Sequence, residues 1–327
     1  MNDSQHPLHH KVEAGQALTT ADGLQILQAR GAELTALMAG AHAIKEKYRG
    51  DKIGLCSIVN AKSGRCAEDC AFCAQSAHQN TDAPIYPLLS AKEMITAARN
   101  AADQGRQCFG IVTSGTAIDD GEEFQRILKT VAEIASWGSI APSVSLGILS
   151  SEQATALQQA GCATYHHNLE TARSFFPEIC TTHDYEDDVT TVRRAKAAGM
   201  KVCCGGIFGL GESLQQRLEL ALTIRELDVD SVPINFLNPV AGTRLEHMQQ
   251  LTPLDSLRII VLYRYLLPDK HLTVCGGREH NLRELQSLIF MAGASGMMVG
   301  NYLTTGGRDL TTDHQLLQDL ELDRYEC

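Results

Sequence analysis

Residues 55–76 read L-C-S-I-V-N-A-K-S-G-R-C-A-E-D-C-A-F-C-A-Q-S, and the reading of the fold starts here. The stretch opens on a short β-rich run, residues 55–60, and passes directly into a loop carrying Cys66, Cys70 and Cys73 with C-x3-C-x2-C spacing. A parallel β/α barrel presents its chemistry in this way, on the loop that follows the C-terminal end of a strand.

Working outward, the same rhythm continues along the chain. Further β-rich runs are expected at 108–113, 143–146, 163–168, 201–208, 231–237, 272–275 and 296–300, giving eight strands in all. Amphipathic helical patterns separate them at 91–104, 121–136, 151–160, 185–198, 214–227, 253–267 and 282–292. Gly105, Gly161, Gly199 and Gly293 close several of these, as suits a left-handed C-terminal cap. The expectation is an α/β fold, a (βα)8 TIM-type barrel, with an open doubly wound sheet as the alternative. The apolar spacing of Leu24, Ile26, Leu27, Leu34, Leu37, Met38 and Ile44 adds an N-terminal helical extension. The expected divisions are a disordered segment at 1–15, helices at 16–50, the barrel at 51–310, and a C-terminal helix and tail at 311–327.

Composition narrows the function. A net charge of -11 and 28 scattered basic residues argue against a nucleic-acid partner. No run approaches the roughly eighteen apolar residues of a membrane span, and the His-rich head lacks a signal peptide's apolar stretch, so a cytoplasmic protein is expected. In that compartment eleven cysteines read as metal ligands rather than disulfides. Three thiolates on one loop can wrap three corners of an iron-sulfur cube, leaving one iron open for a small ligand. A zinc knuckle is the competing reading, and only His78 offers itself as its fourth ligand.

The loop G-R-C-A-E-D-C-A-F-C-A-Q-S (64–76) is followed in order by T-Y-H-H-N-L-E-T (164–171), K-V-C-C-G-G-I-F-G-L-G-E (201–212), S-V-P-I-N-F-L (231–237), G-G-R-E (276–279) and Y-L-T-T (302–305). On these motifs, spread over about residues 55–305, the chain resembles the biotin synthase family of radical S-adenosylmethionine (SAM) enzymes. The resemblance implies a 4Fe-4S cluster on Cys66, Cys70 and Cys73 whose open iron chelates SAM. Reductive cleavage of SAM then yields a 5′-deoxyadenosyl radical that abstracts hydrogen from dethiobiotin. It also implies SAM contacts at Phe72, Asn168, Glu170 and Ile207, with Glu170 standing where the family more often has Asp. Dethiobiotin contacts are implied at Asn168 and Asn235, for the ureido ring, and at Thr304 and Thr305, for the tail carboxylate. A flavodoxin- or ferredoxin-like electron donor and a homodimer belong to the same expectation.

The residues also allow blander readings. Asn235 can be a satisfied core amide, Thr304 and Thr305 a simple turn, and the glycines of 205–212 strand-helix packing.

The chain departs from the family at its second cluster, a 2Fe-2S centre usually held by three Cys and an Arg, which donates the sulfur. Two of these positions match Cys108 and Cys203, but the third falls on Ser143 and the Arg position on Thr273. Cys275, two residues beyond Thr273, shares its strand face, and Cys56 stands on the first strand. The expectation is therefore an auxiliary 4Fe-type cluster on Cys56, Cys108, Cys203 and Cys275, although buried cysteines can also be packing alone. Strand alternation turns Cys204 away, and Cys162, Cys180 and Cys327 receive no role. Two other functions stay open: another radical SAM barrel enzyme, such as a mutase, and a non-catalytic metal-binding module.

Overall fold

Serine and threonine caps set the helix starts in the computed structural model, which describes residues 6–324. Ser90, Ser150 and Ser213 each accept a hydrogen bond from the backbone N–H three residues on, in reciprocal capping boxes with Glu93, Gln153 and Gln216. They open α4 (Ala91–Asp103), α6 (Ser151–Gln159) and α9 (Leu214–Leu227). Preceding these are α1 (Pro7–Glu13), α2 (Thr20–Gln28) and α3 (Gly31–Arg49). The remaining helices are α5 (Glu122–Trp137), α7 (Phe176–Ile179), α8 (Tyr185–Ala197), α10 (Pro253–Leu266), α11 (Arg278–Leu282), α12 (Leu288–Met291) and α13 (Leu310–Asp319).

The strands are β1 (Gly54–Lys62), β2 (Cys108–Thr113), β3 (Ala141–Ser145), β4 (Thr164–His166), β5 (Lys201–Cys203), β6 (Gly206–Phe208), β7 (Ser231–Phe236), β8 (His271–Val274) and β9 (Gly296–Met298). All pair in parallel. β9 returns to β1, and β7 pairs with both β5 and β6, so the sheet closes on itself. β5 and β6 are halves of one run, which makes eight staves from nine segments: a (βα)8 TIM-type barrel, as the alternation of the sequence predicts.

The break in the fifth stave has a local cause. Cys275 N–H donates to Ile234 O, so Pro233 turns its backbone the other way, toward strand five, where it has no N–H to offer. The opposing residue is Gly205, and a Cβ there would lie 2.0 Å from Pro233 O. Only glycine lets the two backbones approach so closely.

The core lies outside the barrel, between the outward strand faces and the helices. α10 is buried continuously from Ser256 to Leu266, because its I-I-V-L-Y run is apolar on every side. The N-terminal helices α2 and α3 cover it. The head expected to be disordered over 1–15 is corrected in part: residues 7–13 form α1, which buries Leu8 and Val12 against α3. Proline at the first position and the i, i+4 apolar pair account for that helix. Residues 1–5 of that segment lie outside the described residues, as do residues 325–327 of the tail. The single helix expected at 282–292 is instead broken at Arg283, whose φ is 50°, into two short helices and a 3-10 turn. α13 is fastened by Asp313, which pairs with Arg278 at 2.5 Å, both side chains fully buried.

Gly277 gives a stability prediction at the edge of the site. Its φ is +74°, and a Cβ would sit 1.9 Å from Phe236 O. Gly277→Ala is expected to destabilise the fold by more than about 2 kcal/mol, combining left-handed strain with a backbone clash. A urea unfolding midpoint equal to that of the parent would contradict this.

Candidate functional site

The loop after β1 ties itself into a fixed shape. Cys66 N–H donates to Gln75 O and Ala77 N–H returns to Cys66 O, while Ser76 Oγ donates to Glu68 O at 2.6 Å. Gln75 Oε1 accepts from Asn60 Nδ2 and Ser63 Oγ, which anchors the loop to its own strand. Ala71 N–H donates to Ile179 O, and Phe72 packs with the small apolar cluster of Ala71, Ile179, Leu210 and Leu237. Cys66, Cys70 and Cys73 all line one cavity of about 1100 Å³ inside the barrel. Three thiols converging from one loop, with ample open space before them, fit three corners of a 4Fe-4S cluster whose fourth iron is free for a ligand. His78 does not serve as a fourth ligand, since it faces outward and its Nε2 lies 2.9 Å from Ala67 O.

Phe72, Asn168, Glu170 and Ile207 line the same cavity. Glu170 sits at φ 59°, beyond the end of β4, and its carbonyl accepts from Ile207 N–H at 2.7 Å. Burial pushes its carboxyl up to about 8, and the nearby charge of Asp188 adds to the effect. The break in strand five leaves backbone groups that two amides take up. Asn168 Oδ1 accepts from Gly205 N–H, and Asn235 Nδ2 donates to Gly206 O. Asn235 Oδ1 also accepts from Gly276 N–H at 3.0 Å. The amide is thereby oriented, with one N–H and one lone pair left over from these bonds. Thr304 and Thr305 also line the cavity, in a turn closed by Tyr302 N–H on Thr305 O and held to β1 by Asn60 Nδ2 on Leu303 O.

Deeper in the barrel, Cys56, Cys108, Cys203 and Cys275 also line the cavity, beside Ser143 and Thr273. Cys56 and Cys108 are register partners on adjacent strands. A hydrogen bond donated to Cys275, together with burial, raises the Cys56 thiol well above its usual range. Burial pushes Cys108 up to about 11 and Cys203 up to about 12, with the neighbouring cysteines adding to both. Cys56, Cys108 and Cys203 are therefore neutral thiols without metal, and binding iron would release their protons. Cys108 Sγ lies 3.6 Å from Ser143 Oγ. Cys204 is fully buried in the outer core and Cys162 points to Pro142 O and Thr164 O, both away from the cavity.

One group had no signal strong enough to read from sequence. Cys180 lies in the cavity wall with its Sγ 3.8 Å from Cys70 Sγ, and His183 Nδ1 stands 2.6 Å from Glu68 Oε2. Asp188 bridges His183 Nε2 at 3.3 Å and His167 Nε2 at 2.8 Å. Burial opposes a charge on His183, but Asp188, Cys180 and Glu68 outweigh it and carry its pKa up to about 11. Of the two thiols, Cys180 takes the negative charge first, because Cys70 and His183 donate toward it. The C-x2-H spacing of 180–183 was the only visible hint.

Comparison with known proteins agrees with this geometry. Residues 61–224 match the Radical SAM superfamily and residues 233–323 the Biotin and Thiamin Synthesis associated domain. The chain is 58% identical over 327 residues to biotin synthase of Geotalea uraniireducens (strain Rf4), covering 100% of this chain and 99% of the relative. It is 59% identical over 317 residues to biotin synthase of Syntrophotalea carbinolica, covering 97% of each. Among solved structures, methylornithine synthase superposes with a TM-score of 0.85 at 18% identity, covering 98% of this chain and 97% of that one. The FeFe-hydrogenase maturase HydG from Carboxydothermus hydrogenoformans gives 0.80 at 18% identity, covering 98% and 79%. At that identity the two structures speak for the fold alone. With relatives of this identity spanning its full length, and with the cysteine loop and barrel in place, the chain belongs to the biotin synthase family of radical SAM enzymes.

Proposed function

We propose that this chain converts dethiobiotin to biotin, inserting sulfur between two unactivated carbons. The observation that carries the reading is one cavity with two sets of thiols at different depths: Cys66, Cys70 and Cys73 at the mouth, and Cys56, Cys108, Cys203 and Cys275 deeper within. When bound, the clusters supply the electron that cleaves SAM and the sulfur that enters the product. The protein's own part is placement. Phe72, Ile207, Asn168 and Glu170 receive SAM, and the Glu170 carboxyl is positioned to accept from ribose hydroxyls. Asn168 and Asn235 present oriented amides to the ureido ring, whose N–H and C=O groups match them as donors and acceptors. Thr304 and Thr305 take the tail carboxylate. The deep thiols hold a 4Fe-type auxiliary cluster, soft ligands that iron prefers over the hydroxyls of Ser143 and Thr273. A flavodoxin- or ferredoxin-like donor, a cytoplasmic location and a homodimer complete the proposal.

The direct test is an anaerobic assay of the reconstituted protein with SAM, dethiobiotin and a reductant. Biotin should form with an excess of 5′-deoxyadenosine, because two C–H bonds must be broken. A radical SAM mutase would make 5′-deoxyadenosine and no biotin; a non-catalytic metal module would make neither. In the same system Asn235→Ala is expected to weaken dethiobiotin binding about tenfold to a hundredfold, the effect of roughly 1–3 kcal/mol for unpaired polar groups. The SAM cluster's iron content should not change. Unaltered dethiobiotin affinity in a titration would count against the substrate assignment.

A further inference from the structure

Glu68, Cys180 and His183 converge beside the loop's middle cysteine, and their donor atoms all lie within 4.8 Å of one another. Cys180 Sγ stands 3.8 Å from Cys70 Sγ, 3.8 Å from Glu68 Oε2 and 3.4 Å from His183 Nδ1. A tetrahedral ion with metal–sulfur bonds of ~2.3 Å and a metal–nitrogen bond of ~2.0 Å places two sulfurs ~3.8 Å apart and a sulfur and nitrogen ~3.5 Å apart. The spacings from the Cys180 sulfur are those of neighbouring ligands on one ion, while His183 Nδ1 and Glu68 Oε2, 2.6 Å apart, share a proton that a bound ion would displace. The outer contacts are also those of a metal site. His183 turns Nδ1 inward while its Nε2 meets Asp188 Oδ2 at 3.3 Å, the carboxylate–histidine arrangement that orients a ligating imidazole. The free oxygen of Glu68, Oε1, accepts from Thr116, and Thr182 donates to Oε2.

We propose that, before its cluster is loaded, the protein binds one divalent transition ion, Zn²⁺ or Fe²⁺, through Cys70, Cys180, His183 and Glu68. Two thiolates, one imidazole and one carboxylate form a donor set suited to either ion. The site takes Cys70 out of the three-cysteine loop, so this ion and the 4Fe-4S cluster exclude each other. That exclusion rests on the proposed role of Cys70 as a cluster ligand; the ion site itself does not.

The test uses full-length protein purified anaerobically, stripped of iron and sulfide, and titrated with Co²⁺. One equivalent should develop a thiolate-to-cobalt charge-transfer band and the intense visible bands of a tetrahedral site, and Zn²⁺ and Fe²⁺ should each abolish them by competition. Cys180→Ala and His183→Ala should weaken Co²⁺ binding about a hundredfold or more, given that even outer-shell partners are worth 10- to 100-fold. Cys180→Ser, checked by circular dichroism, serves as a second variant that retains a hydrogen-bonding group and guards against misfolding. Cys66→Ala and Cys73→Ala should leave the bands intact, and Cys70→Ala should remove about half of the thiolate intensity. Bands that survive Cys180→Ala, or that vanish with Cys66→Ala and Cys73→Ala, would overturn the proposal. So would the absence of binding, which would leave a protonated His183 joining Glu68 and Asp188 as an ion pair only. None of these readouts depends on biotin formation, so failure here is distinct from failure of the proposed function.

Discussion

Alanine at Cys66, Cys70 or Cys73 is expected to bring 5′-deoxyadenosine formation down to the level seen without protein. The three sulfurs come from one loop that is hydrogen-bonded to itself, so a vacated position cannot be refilled by a shift of the backbone. A cube held at only two corners cannot both keep its open iron toward SAM and deliver an electron. Cys180, 3.8 Å from Cys70, is the nearest spare thiol, which makes Cys70→Ala the most demanding of the three tests. If any of the three variants made 5′-deoxyadenosine at the parent rate under anaerobic reduction, the assignment of the loop would fail.

The second large effect separates the two halves of the chemistry. Cys56→Ala and Cys275→Ala are each expected to abolish biotin formation while 5′-deoxyadenosine continues to appear, because the SAM cluster is proposed on the other set of thiols. Iron and sulfide content should fall by the share of one cluster, and Mössbauer spectra should lose one component. These two cysteines are in hydrogen-bond contact, and removing either leaves only three of the four deep thiols. Ser143→Ala is the control: its hydroxyl already donates to Phe109 O at 3.4 Å, and its loss should leave the iron content unchanged. Full auxiliary iron in Cys56→Ala, or only a 2Fe-2S signal beside the SAM cluster, would sink the 4Fe-type assignment.

Much of this architecture was legible in the sequence because barrels are built from local periodicities. Alternating β-rich and amphipathic runs are enough to count eight staves, and C-x3-C-x2-C is a constellation within one loop. Strand alternation also sorted the inner cysteines, sending Cys204 outward and Cys275 into the cavity. What escaped was whatever depends on distant segments meeting. Glu68 and His183 are 115 residues apart and touch only because the loop after β4 folds back over the loop after β1. α1 was missed for another reason: its apolar contacts number few, and a polar, His-rich run hides them. The break at Arg283 was invisible because an ordinary side chain at positive φ leaves no trace in residue type.

The cavity runs from Lys201 and His271 at one rim of the barrel to Thr304 and Thr305 at the other. In most barrels of this kind that space is filled by layers of packed side chains that help hold the fold together. Here the apolar mass lies outside, between strands and helices. The interior is thus relieved of structural duty and can drift over generations while the folded shell stays the same. A change of side chain at 143 or 273, both on the cavity wall, can be made without first having to be rescued by a stabilising change elsewhere. Inheritance can in this way change the inner chemistry of such a protein while leaving its outward shape unaltered.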